Sequence, residues 1–412
     1  MPKTLYICYF GLREPLVQTQ VIPYLREVMK DGLKVSLLTF EPEFRRSWSA
    51  DQIATEKARL AATGIDWLCL GYHKRPSALA TAYDIVRGSF FVWRRLGHEK
   101  FDVLHGRVHI PTLMGAMARK FSRIKPKLLF DIRGFFPEEY TDAGIWPEGG
   151  WLYRSAKRVE KWLLKEADGF VVLTEKAREI LFPGSADSGT DRLGRPVEVI
   201  PCCVDIERFA VLTEASRNEM RQQLGVDERK VLVYVGSFGG WYLSNEMFDL
   251  FAAARAADPN VFVMILTQRQ TDLATKRMVE LGFGENDFLV RTVSPAEIPR
   301  YLTASNASVS FIKNCYSKQA SSPTKNAEYL AAGLPIIANS GVGDVDSLIL
   351  GDGIGILIDA FDDESYIAAL NELAAMGDVG ERCRETAKLR FDLESVGGVR
   401  YRRLYQRLLQ SE

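Results

Sequence analysis

The segment best suited to chemistry is Ser-Ser-Pro-Thr-Lys-Asn-Ala-Glu-Tyr, residues 321–329. Ser322 suits a helix N-cap, Pro323 suits the first helical position, and Gly333 suits the position just after the last turn. A helix that starts at Pro323 has free backbone N–H groups, which form an anion site. Lys325 falls in the first turn, where a cation opposes the helix dipole. A pyrophosphate bound at this end of the helix would explain why a positive side chain is placed there.

Glu328 lies about one helical turn after Lys325. At that position its carboxylate is suited to hydrogen-bonding the hydroxyl groups of a ribose. The alternative is a well-capped surface helix on which Lys325 and Glu328 form an i,i+3 ion pair. The local pattern leaves both interpretations open.

Two glycine turns follow apolar runs and are candidate phosphate-binding loops. Gly-Ser-Phe-Gly-Gly, residues 236–240, comes directly after an apolar run, and Gly11 follows the first such run of the chain. Glycines in these places let the backbone approach a phosphate group closely. Each is equally compatible with a plain turn, since neither has the full dinucleotide-binding spacing.

Strand and helix patterns alternate along the chain. Leu5–Phe10 is strand-like, an amphipathic stretch follows over about 17–30, and Lys34–Phe40 is strand-like again. This βαβ order implies a parallel sheet, and a second cycle begins at Lys230. A chain of 412 residues exceeds one ordinary core. We therefore predict an α/β protein of two successive Rossmann-like, doubly wound units.

The order of these motifs resembles that of the family 4 glycosyltransferases. Residues 199–209, Val-Ile-Pro-Cys-Cys-Val-Asp-Ile-Glu-Arg-Phe, are similar to the family's interdomain hallmark V-I-P-N-G-V-D-x-x-x-F. Residues 323–335 look like its donor-site segment, in the S-P-x-K-x-x-E-Y form of one subset, and residues 160–175 match the strand before the hallmark. The resemblance implies the GT-B fold, in which two Rossmann-like domains face each other across a cleft.

The resemblance also implies domain roles and an activity. Residues 1–205 would bind the acceptor, 206–390 would bind the nucleotide sugar, and 391–412 would form a helix that crosses back to the first domain. The enzyme would move a sugar from a nucleotide diphosphate donor to a glycan, lipid-linked or small-molecule acceptor, in cell-surface polysaccharide or glycoconjugate synthesis. Retention of configuration, no bound metal and no cofactor beyond the donor substrate are expected. A sugar-nucleotide 2-epimerase and a non-catalytic binding protein of the same fold remain alternatives.

Two departures from the family pattern keep the alternatives open. The family's first donor-site glutamate is replaced by Ala320, and Glu328 matches the second, which holds the ribose in relatives. Asp-Ile-Arg-Gly-Phe-Phe-Pro, residues 131–137, resembles T-V-H-D-F-W-P with Arg133 in place of histidine. Arginine stays protonated and cannot act as a general base, but it can stabilise a departing phosphate or bind an anionic acceptor. The alternative for Asp131 and Arg133 is a local ion pair.

Together the motifs give a set of predicted site residues. His109 enters because it follows a strand at the carboxyl end of the first sheet, where ligands bind, although a lone histidine is also often structural. The catalytic candidates are Arg133, Lys325 and Glu328; the donor-binding candidates are Gly236, Ser237, Gly239, Gly240, Ser322, Thr324, Lys325 and Glu328; the acceptor-side candidates are Gly11, Gln18, His109, Asp131 and Arg133.

Composition predicts a cytosolic location. The six cysteines are scattered without a C-x-x-C pair, and no run approaches 18 apolar residues. The opening residues, Met-Pro-Lys-Thr, lack a cleavable signal layout. Because 53 basic residues balance 53 acidic ones, the global charge gives no support to a nucleic-acid partner, and we predict none.

One basic stretch is the exception to this balance. Between Lys74 and Lys127 the chain has 12 Lys or Arg against 3 Asp or Glu. Phe90-Phe91-Val92-Trp93-Arg94-Arg95 and Met117-Ala118-Arg119-Lys120-Phe121 interleave aromatic and basic residues there. Such a face suits peripheral contact with an anionic inner membrane leaflet. The alternative is that Phe90, Phe91 and Trp93 belong to the core and the cations are solvated.

Overall fold

The chain forms two compact α/β units. The computed structural model describes residues 1–75, 77–210 and 213–410. The first unit contains Met1–Pro201 together with the segment from Leu393 onward, and the second contains Cys202–Asp392. The prediction of two doubly wound, Rossmann-like units is confirmed, whereas the facing arrangement across a cleft stays a prediction.

The first unit is built on a seven-stranded parallel sheet in the order β3-β2-β1-β4-β5-β6-β7. The strand order reverses between β1 and β4, which is where ligands bind in open α/β sheets. The strands are β1 (Lys3–Cys8), β2 (Lys34–Pro42), β3 (Ile65–Tyr72), β4 (Val103–Arg107), β5 (Lys127–Asp131), β6 (Gly169–Val172) and β7 (Val197–Val199).

Nine helices connect these strands in the described part of the first unit's main segment. They are α1 (Pro15–Gln20), α2 (Ile22–Met29), α3 (Phe44–Ser47), α4 (Ala50–Ala61), α5 (Ser77–His98), α6 (His109–Phe121), α7 (Phe136–Asp142), α8 (Trp151–Glu166) and α9 (Glu175–Leu181).

The second unit repeats the architecture with six parallel strands in the order β10-β9-β8-β11-β12-β13. The order reverses between β8 and β11. The elements are α10 (Glu207–Ala210), α11 (Glu214–Leu224), β8 (Val231–Val235), α12 (Ser244–Ala257), β9 (Phe262–Leu266), α13 (Thr271–Glu280), β10 (Phe288–Arg291), α14 (Ile298–Thr303), β11 (Ala307–Ser310), a 3-10 turn (Tyr316–Ala320), α15 (Thr324–Ala331), β12 (Ile336–Asn339), α16 (Val345–Asp352), β13 (Gly355–Ile358), α17 (Asp363–Ala375) and α18 (Gly380–Phe391).

Strand β8 shows why both faces of this sheet must be covered. Val231 and Val233 pack into one hydrophobic cluster, while Leu232 and Tyr234 pack into another. Successive strand residues point to opposite faces, so a strand that is apolar at every position needs helices on both sides.

The C-terminal segment belongs to the first unit. A π-helical turn (Leu393–Gly398) leads into α19 (Val399–Gln410), which packs against α2 and β7. Tyr401 and Tyr405 lie on its buried face, one turn apart. None of the described helices combines the length and the apolar character needed to span a membrane.

Candidate functional site

Lys325 occupies an aromatic enclosure at the start of α15. Its side chain is buried, and its Nζ lies 4.3 Å from the ring centroids of both Tyr234 and Tyr242. Nζ has no hydrogen-bond partner among the described residues. Burial lowers the pKa of Lys325 to about 7. Because an unpaired ammonium in a buried place is costly, the site is suited to receiving an anion.

The glycine turn after β8 meets Lys325 directly. Gly236 has φ +148°, and a Cβ placed on it would lie 3.1 Å from the Lys325 Nζ. The Tyr234 hydroxyl donates to the Ser237 carbonyl at 2.6 Å, which fixes the turn beside the enclosure. A side chain at position 236 would therefore fill space next to the ammonium. The two segments that carry the predicted donor contacts converge in the fold, although Gly236 and Lys325 are 89 residues apart in the chain.

The rest of the turn is open. Gly239 and Gly240 have φ +73° and +64°, and no atom lies within 4 Å of the Cβ position of either. The Gly239 N–H donates to the Ser244 hydroxyl at 2.9 Å, so this N–H is engaged. Positive φ at both positions explains the two glycines by backbone geometry alone.

Glu328 is buried on the same helix but does not pair with Lys325. Burial raises its pKa to about 7, with Arg208 acting in the opposite direction. Among the described residues the Lys325 Nζ has no hydrogen-bond partner, so it forms no hydrogen-bonded ion pair with Glu328. The surface-helix interpretation with an i,i+3 ion pair is therefore wrong. The helix brings two ionisable groups with pKa values near neutrality into one buried turn.

The start of α15 differs from the prediction. The helix begins at Thr324 with Pro323 at the N-cap, and no side chain caps it. Ser322 lies outside the helix, and its hydroxyl accepts a hydrogen bond from the Cys202 N–H at 3.1 Å. Ser322 therefore ties the donor-helix segment to the start of the second unit instead of capping the helix. At the other end, Gly333 takes φ +79° just after the last turn, as expected.

Two further residues belong to the donor side, Ala320 before this helix and Asn326 within it. Ala320, which stands where the family has its first glutamate, is buried at the end of the 3-10 turn. Asn326 is also buried, and neither its amide oxygen nor its amide nitrogen has a partner in the described chain. Sequence reasoning missed Asn326 because a lone asparagine inside a helical pattern carries no signal.

In the first unit, Asp131 lies at the end of β5 within a group of buried polar side chains. Its carboxylate accepts a hydrogen bond from Tyr401 at 3.0 Å. His105, Arg107 and Arg133 approach it at 3.5, 3.7 and 3.8 Å. Burial alone would raise the pKa of Asp131, but Arg133, His105 and Arg107 outweigh burial and hold that pKa at about 2. Burial lowers the pKa of His105, so its imidazole is neutral at pH 7.

The predicted pair of Asp131 and Arg133 is thus part of a larger network. Arg107, at the end of β4, and Tyr401, on α19, were not identified from the sequence. Arg133 also reaches the amide oxygen of Gln20 at 3.5 Å. The backbone turns sharply after Arg107, where Val108 takes φ +70°. That conformation is strained for a β-branched residue, and such strain is concentrated at functional sites.

The other acceptor-side candidates have structural contacts. The His109 Nε2 lies 3.0 Å from the Glu160 carboxylate, and both side chains are buried. The Gln18 amide donates to the Leu12 carbonyl at 2.6 Å. A Cβ on Gly11 would lie 2.7 Å from the Pro42 ring, so a glycine is needed there for packing. Ligand contacts at these positions stay predictions.

Along α5, apolar side chains are exposed on one stripe. Leu79, Tyr83, Val86, Phe90 and Trp93 succeed one another at intervals of three and four residues, and Phe90 is 58% and Trp93 43% exposed. This spacing places all five on one helix face. The interpretation of Phe90 and Trp93 as core residues is therefore wrong, whereas Phe91 is partly buried and Val92 fully so.

Comparison with known families accounts for most of the chain. Residues 216–390 match the family described as Glycosyl transferases group 1. Residues 17–186 match the Glycosyl transferase 4-like domain. The first match contains the Gly236 turn and the Lys325 helix, and the second contains Asp131 and Arg133.

Individual relatives are distant in sequence and close in fold. The spore coat protein SA of Bacillus subtilis (strain 168) is 25% identical over 178 residues, which cover 41% of this chain and 46% of that protein. HepE from Anabaena, solved with UDP and glucose, has a TM-score of 0.69 at 14% identity, with both chains covered completely. Sucrose-phosphate synthase from Thermosynechococcus elongatus has a TM-score of 0.71 at 16% identity, again over both whole chains.

Proposed function

Because this chain belongs to the group 1 glycosyltransferases, and is an enzyme of that class, we propose that its second unit binds a nucleotide diphosphate sugar at Lys325. The observation that carries the proposal is the buried ammonium without a hydrogen-bond partner beside the Gly236 turn. A diphosphate supplies the anionic oxygens that such a group lacks. The solved structure of HepE with UDP and glucose supports a donor of this kind.

In the proposed complex, the diphosphate lies against Lys325, the N-terminal N–H groups of α15 and the 236–240 turn. Glu328 accepts hydrogen bonds from the ribose hydroxyls. The proposed donor contacts also include Ser237 in the 236–240 turn and Thr324 at the start of α15. Ser322 acts indirectly, through its hydrogen bond with the Cys202 N–H. The arrangement combines a buried cation with a helix N-terminus, and both stabilise negative charge on the departing diphosphate.

The proposed reaction retains the configuration of the sugar. The acceptor oxygen bonds to the anomeric carbon on the face from which the diphosphate leaves, and the acceptor proton passes to a departing diphosphate oxygen. Lys325 supplies positive charge at the leaving group, so we propose that the step needs no bound metal. On the acceptor side, Arg133 binds or neutralises anionic oxygens near the transferred sugar while Asp131 holds it in place.

A donor screen tests the proposal. We expect one of UDP-, GDP-, dTDP- and ADP-sugars to raise the unfolding temperature, since a ligand at 100 times its Kd adds roughly 2.7 kcal/mol. With that donor, nucleoside diphosphate should be released only when an acceptor is present, and added EDTA should not change the rate. Lack of binding by all four donor classes would contradict the proposal. Interconversion of the nucleotide sugar without an acceptor would identify an epimerase instead.

We further propose that the stripe on α5 rests on an anionic membrane, where a lipid-linked glycan acceptor is met. The exposed cation Arg94 follows Trp93 directly, and the exposed cations Lys120 and Arg123 flank Phe121, whose carbonyl accepts a hydrogen bond from the Trp93 indole N–H at 3.2 Å. Apolar groups that enter the interface and cations that attract anionic headgroups act together in peripheral binding.

Vesicle sedimentation tests this membrane contact. The full chain should sediment with phosphatidylglycerol vesicles at low salt, stay in solution with phosphatidylcholine vesicles, and be released at high salt. Phe90→Ser with Trp93→Ser should abolish binding. Leu193→Ser is the matched control, because Leu193 is also an exposed apolar residue of the first unit but lies away from the stripe. Equal sedimentation of the double variant and the wild type would contradict the assignment.

A further inference from the structure

A second polar cluster of the first unit has no role in the reaction described so far. It centres on Asp84, which is on α5 and completely buried. Its carboxylate accepts three hydrogen bonds: from the His73 Nδ1 at 2.6 Å, from the His73 backbone N–H at 2.9 Å, and from the Tyr9 hydroxyl at 2.7 Å. Tyr9 follows β1 and His73 follows β3. The cluster therefore sits at the carboxyl edge of the sheet, the same edge as Asp131.

The hydrogen bonds of Asp84 orient the His73 ring. With Nδ1 turned toward the carboxylate, Nε2 is the ring nitrogen left on the outer side of the imidazole. The His73 side chain is 45% exposed, whereas its partner is not exposed at all. The pair thus presents a hydrogen-bonding ring nitrogen of fixed orientation at the protein surface.

Partly exposed aromatic rings lie beside this imidazole. The Tyr83 ring lies 5.1 Å from that of His73, and the Tyr72 ring lies 5.1 Å from that of Tyr9, whose hydroxyl donates to Asp84. Tyr9 and Tyr72 are half-buried and Tyr83 is 56% exposed. Together they give a surface of aromatic rings next to one oriented imidazole.

We propose that His73, Asp84 and the three tyrosines Tyr9, Tyr72 and Tyr83 form a carbohydrate-binding site, which takes the saccharide part of the acceptor. A sugar ring has an apolar C–H face and a rim of hydroxyl groups, so it needs an aromatic surface with a few fixed hydrogen-bonding groups. Asp84 acts as a positioning residue, and His73 accepts a hydrogen bond from a sugar hydroxyl. The inference rests on the proposed glycosyl transfer and names glycans as its acceptor class.

The position of Tyr83 connects this site with the stripe on α5. Tyr83 belongs to both, and the stripe continues from it toward Trp93 over about 15 Å, at 1.5 Å per helical residue. A lipid-linked glycan could then place its sugars on the tyrosines while its lipid stays in the membrane under the stripe. Soluble sugars are the right first probes, since their binding does not depend on a membrane.

The test uses saturation-transfer NMR on the full chain with methyl glucoside, methyl galactoside, methyl mannoside, lactose and maltose. We expect at least one sugar to bind with transfer concentrated on its ring C–H protons. Its Kd should rise about tenfold in His73→Asn and in Tyr83→Ala. His98→Asn is the matched control, because His98 is an exposed histidine at the far end of the same helix, and it should leave the Kd unchanged.

Three outcomes separate the possibilities. Binding that is lost in both variants, with wild-type unfolding temperature in Tyr83→Ala, supports the site. Binding of none of the five sugars, or unchanged Kd values in both variants, overturns it. Donor-induced thermal shifts measured on the same variants should equal those of the wild type. Loss of sugar binding with intact donor binding would concern the carbohydrate site alone. A failure of the proposed donor site would appear instead as missing donor binding with intact sugar binding.

Discussion

Buried charge is handled differently in the two units. In the second unit, Lys325 lies between Tyr234 and Tyr242 without a hydrogen-bond partner for its ammonium in the described chain. In the first unit, Asp131 is fully buried but receives a hydrogen bond from Tyr401 and has two guanidinium groups within 4 Å. The pKa values express the contrast: about 7 for Lys325, far below the ordinary lysine value, and about 2 for Asp131.

The difference separates two kinds of buried charge. The charge of Lys325 is left for a ligand to neutralise, whereas the charge of Asp131 is neutralised by the protein itself. An ammonium that loses its charge near neutral pH gains a counter-ion only when an anion binds. A carboxylate that keeps its charge down to pH 2 already has its counter-ions in the fold. Substitutions at the two positions should therefore change different properties, stability for Asp131 and ligand affinity for Lys325.

The largest expected effect is on stability at Asp131. Asp131→Asn leaves Arg107 and Arg133 buried without their shared carboxylate, and breaking such a network typically removes 3–5 kcal/mol of unfolding free energy. Denaturant titration at pH 7 measures the loss. Asp352→Asn is the control, because the Asp352 pair with Arg390 is partly exposed, 54% at the arginine and 20% at the aspartate, and should contribute at most about 1 kcal/mol. Equal losses of unfolding free energy in the two variants would contradict the expected difference between the two carboxylates.

The same carboxylate predicts a pH dependence with a definite sign. Its pKa is lower in the folded chain than in the unfolded chain, so its contribution is fully present above about pH 4. The contribution should disappear as the pH falls from about 4 to about 2, where the folded-state group is protonated. Asp131→Asn should therefore lose less additional stability than the wild type over this interval.

The second effect is on donor affinity at Lys325. Lys325→Met removes a charged hydrogen-bond donor to the diphosphate, which should weaken donor binding by 1.5–3 kcal/mol, roughly 10- to 150-fold. The unfolding free energy should not fall, because the lost ammonium has no hydrogen-bond partner among the described residues. Calorimetric titration of the donor found in the screen gives the affinity. Lys276→Met is the control, since Lys276 is an exposed lysine of the same unit. A wild-type Kd in Lys325→Met would disprove the assignment.

The smallest effect is a bell-shaped pH dependence of donor binding, with its maximum near pH 7. Affinity should fall about tenfold per pH unit on the alkaline side as Lys325 loses its proton, and on the acid side as Glu328 gains one. Glu328→Gln should remove only the acid limb and Lys325→Met only the alkaline limb. An intact nucleotide sugar is the proper probe, because a terminal phosphate itself titrates near pH 6. A flat profile in the wild type would contradict both pKa values.

The features that could be predicted from the sequence are those whose signals lie within one short segment. The helix at Pro323–Gly333 was identified because proline and glycine at its ends are signals within one short segment, and its start was misplaced by one residue. The second cycle of strands and helices was predicted from Lys230 onward, and β8 begins at the next residue, Val231.

The contacts of the candidate site could not be predicted because they join distant segments. Tyr234 and Tyr242 enclose a lysine that follows them by more than 80 residues, and Tyr401 bonds a carboxylate 270 residues earlier in the chain. No spacing rule links such positions. The pairing of His73 with Asp84 lies within one connection and the start of α5, but an aspartate in an amphipathic pattern suggests a solvated face, and its complete burial is visible only in the fold.

The placement of α19 has a consequence for biosynthesis. Tyr401 bonds Asp131, and Tyr405 bonds both His105 and Thr4, so β1, β4 and β5 all depend on a helix that is translated after the whole second unit. Until residues 399–410 have left the ribosome, the emerging first unit must expose the face that α19 covers and hold Asp131 without its hydroxyl donor. The second unit can complete its own fold during that interval. The first unit would then reach its final fold after the second, which is the reverse of the order of synthesis.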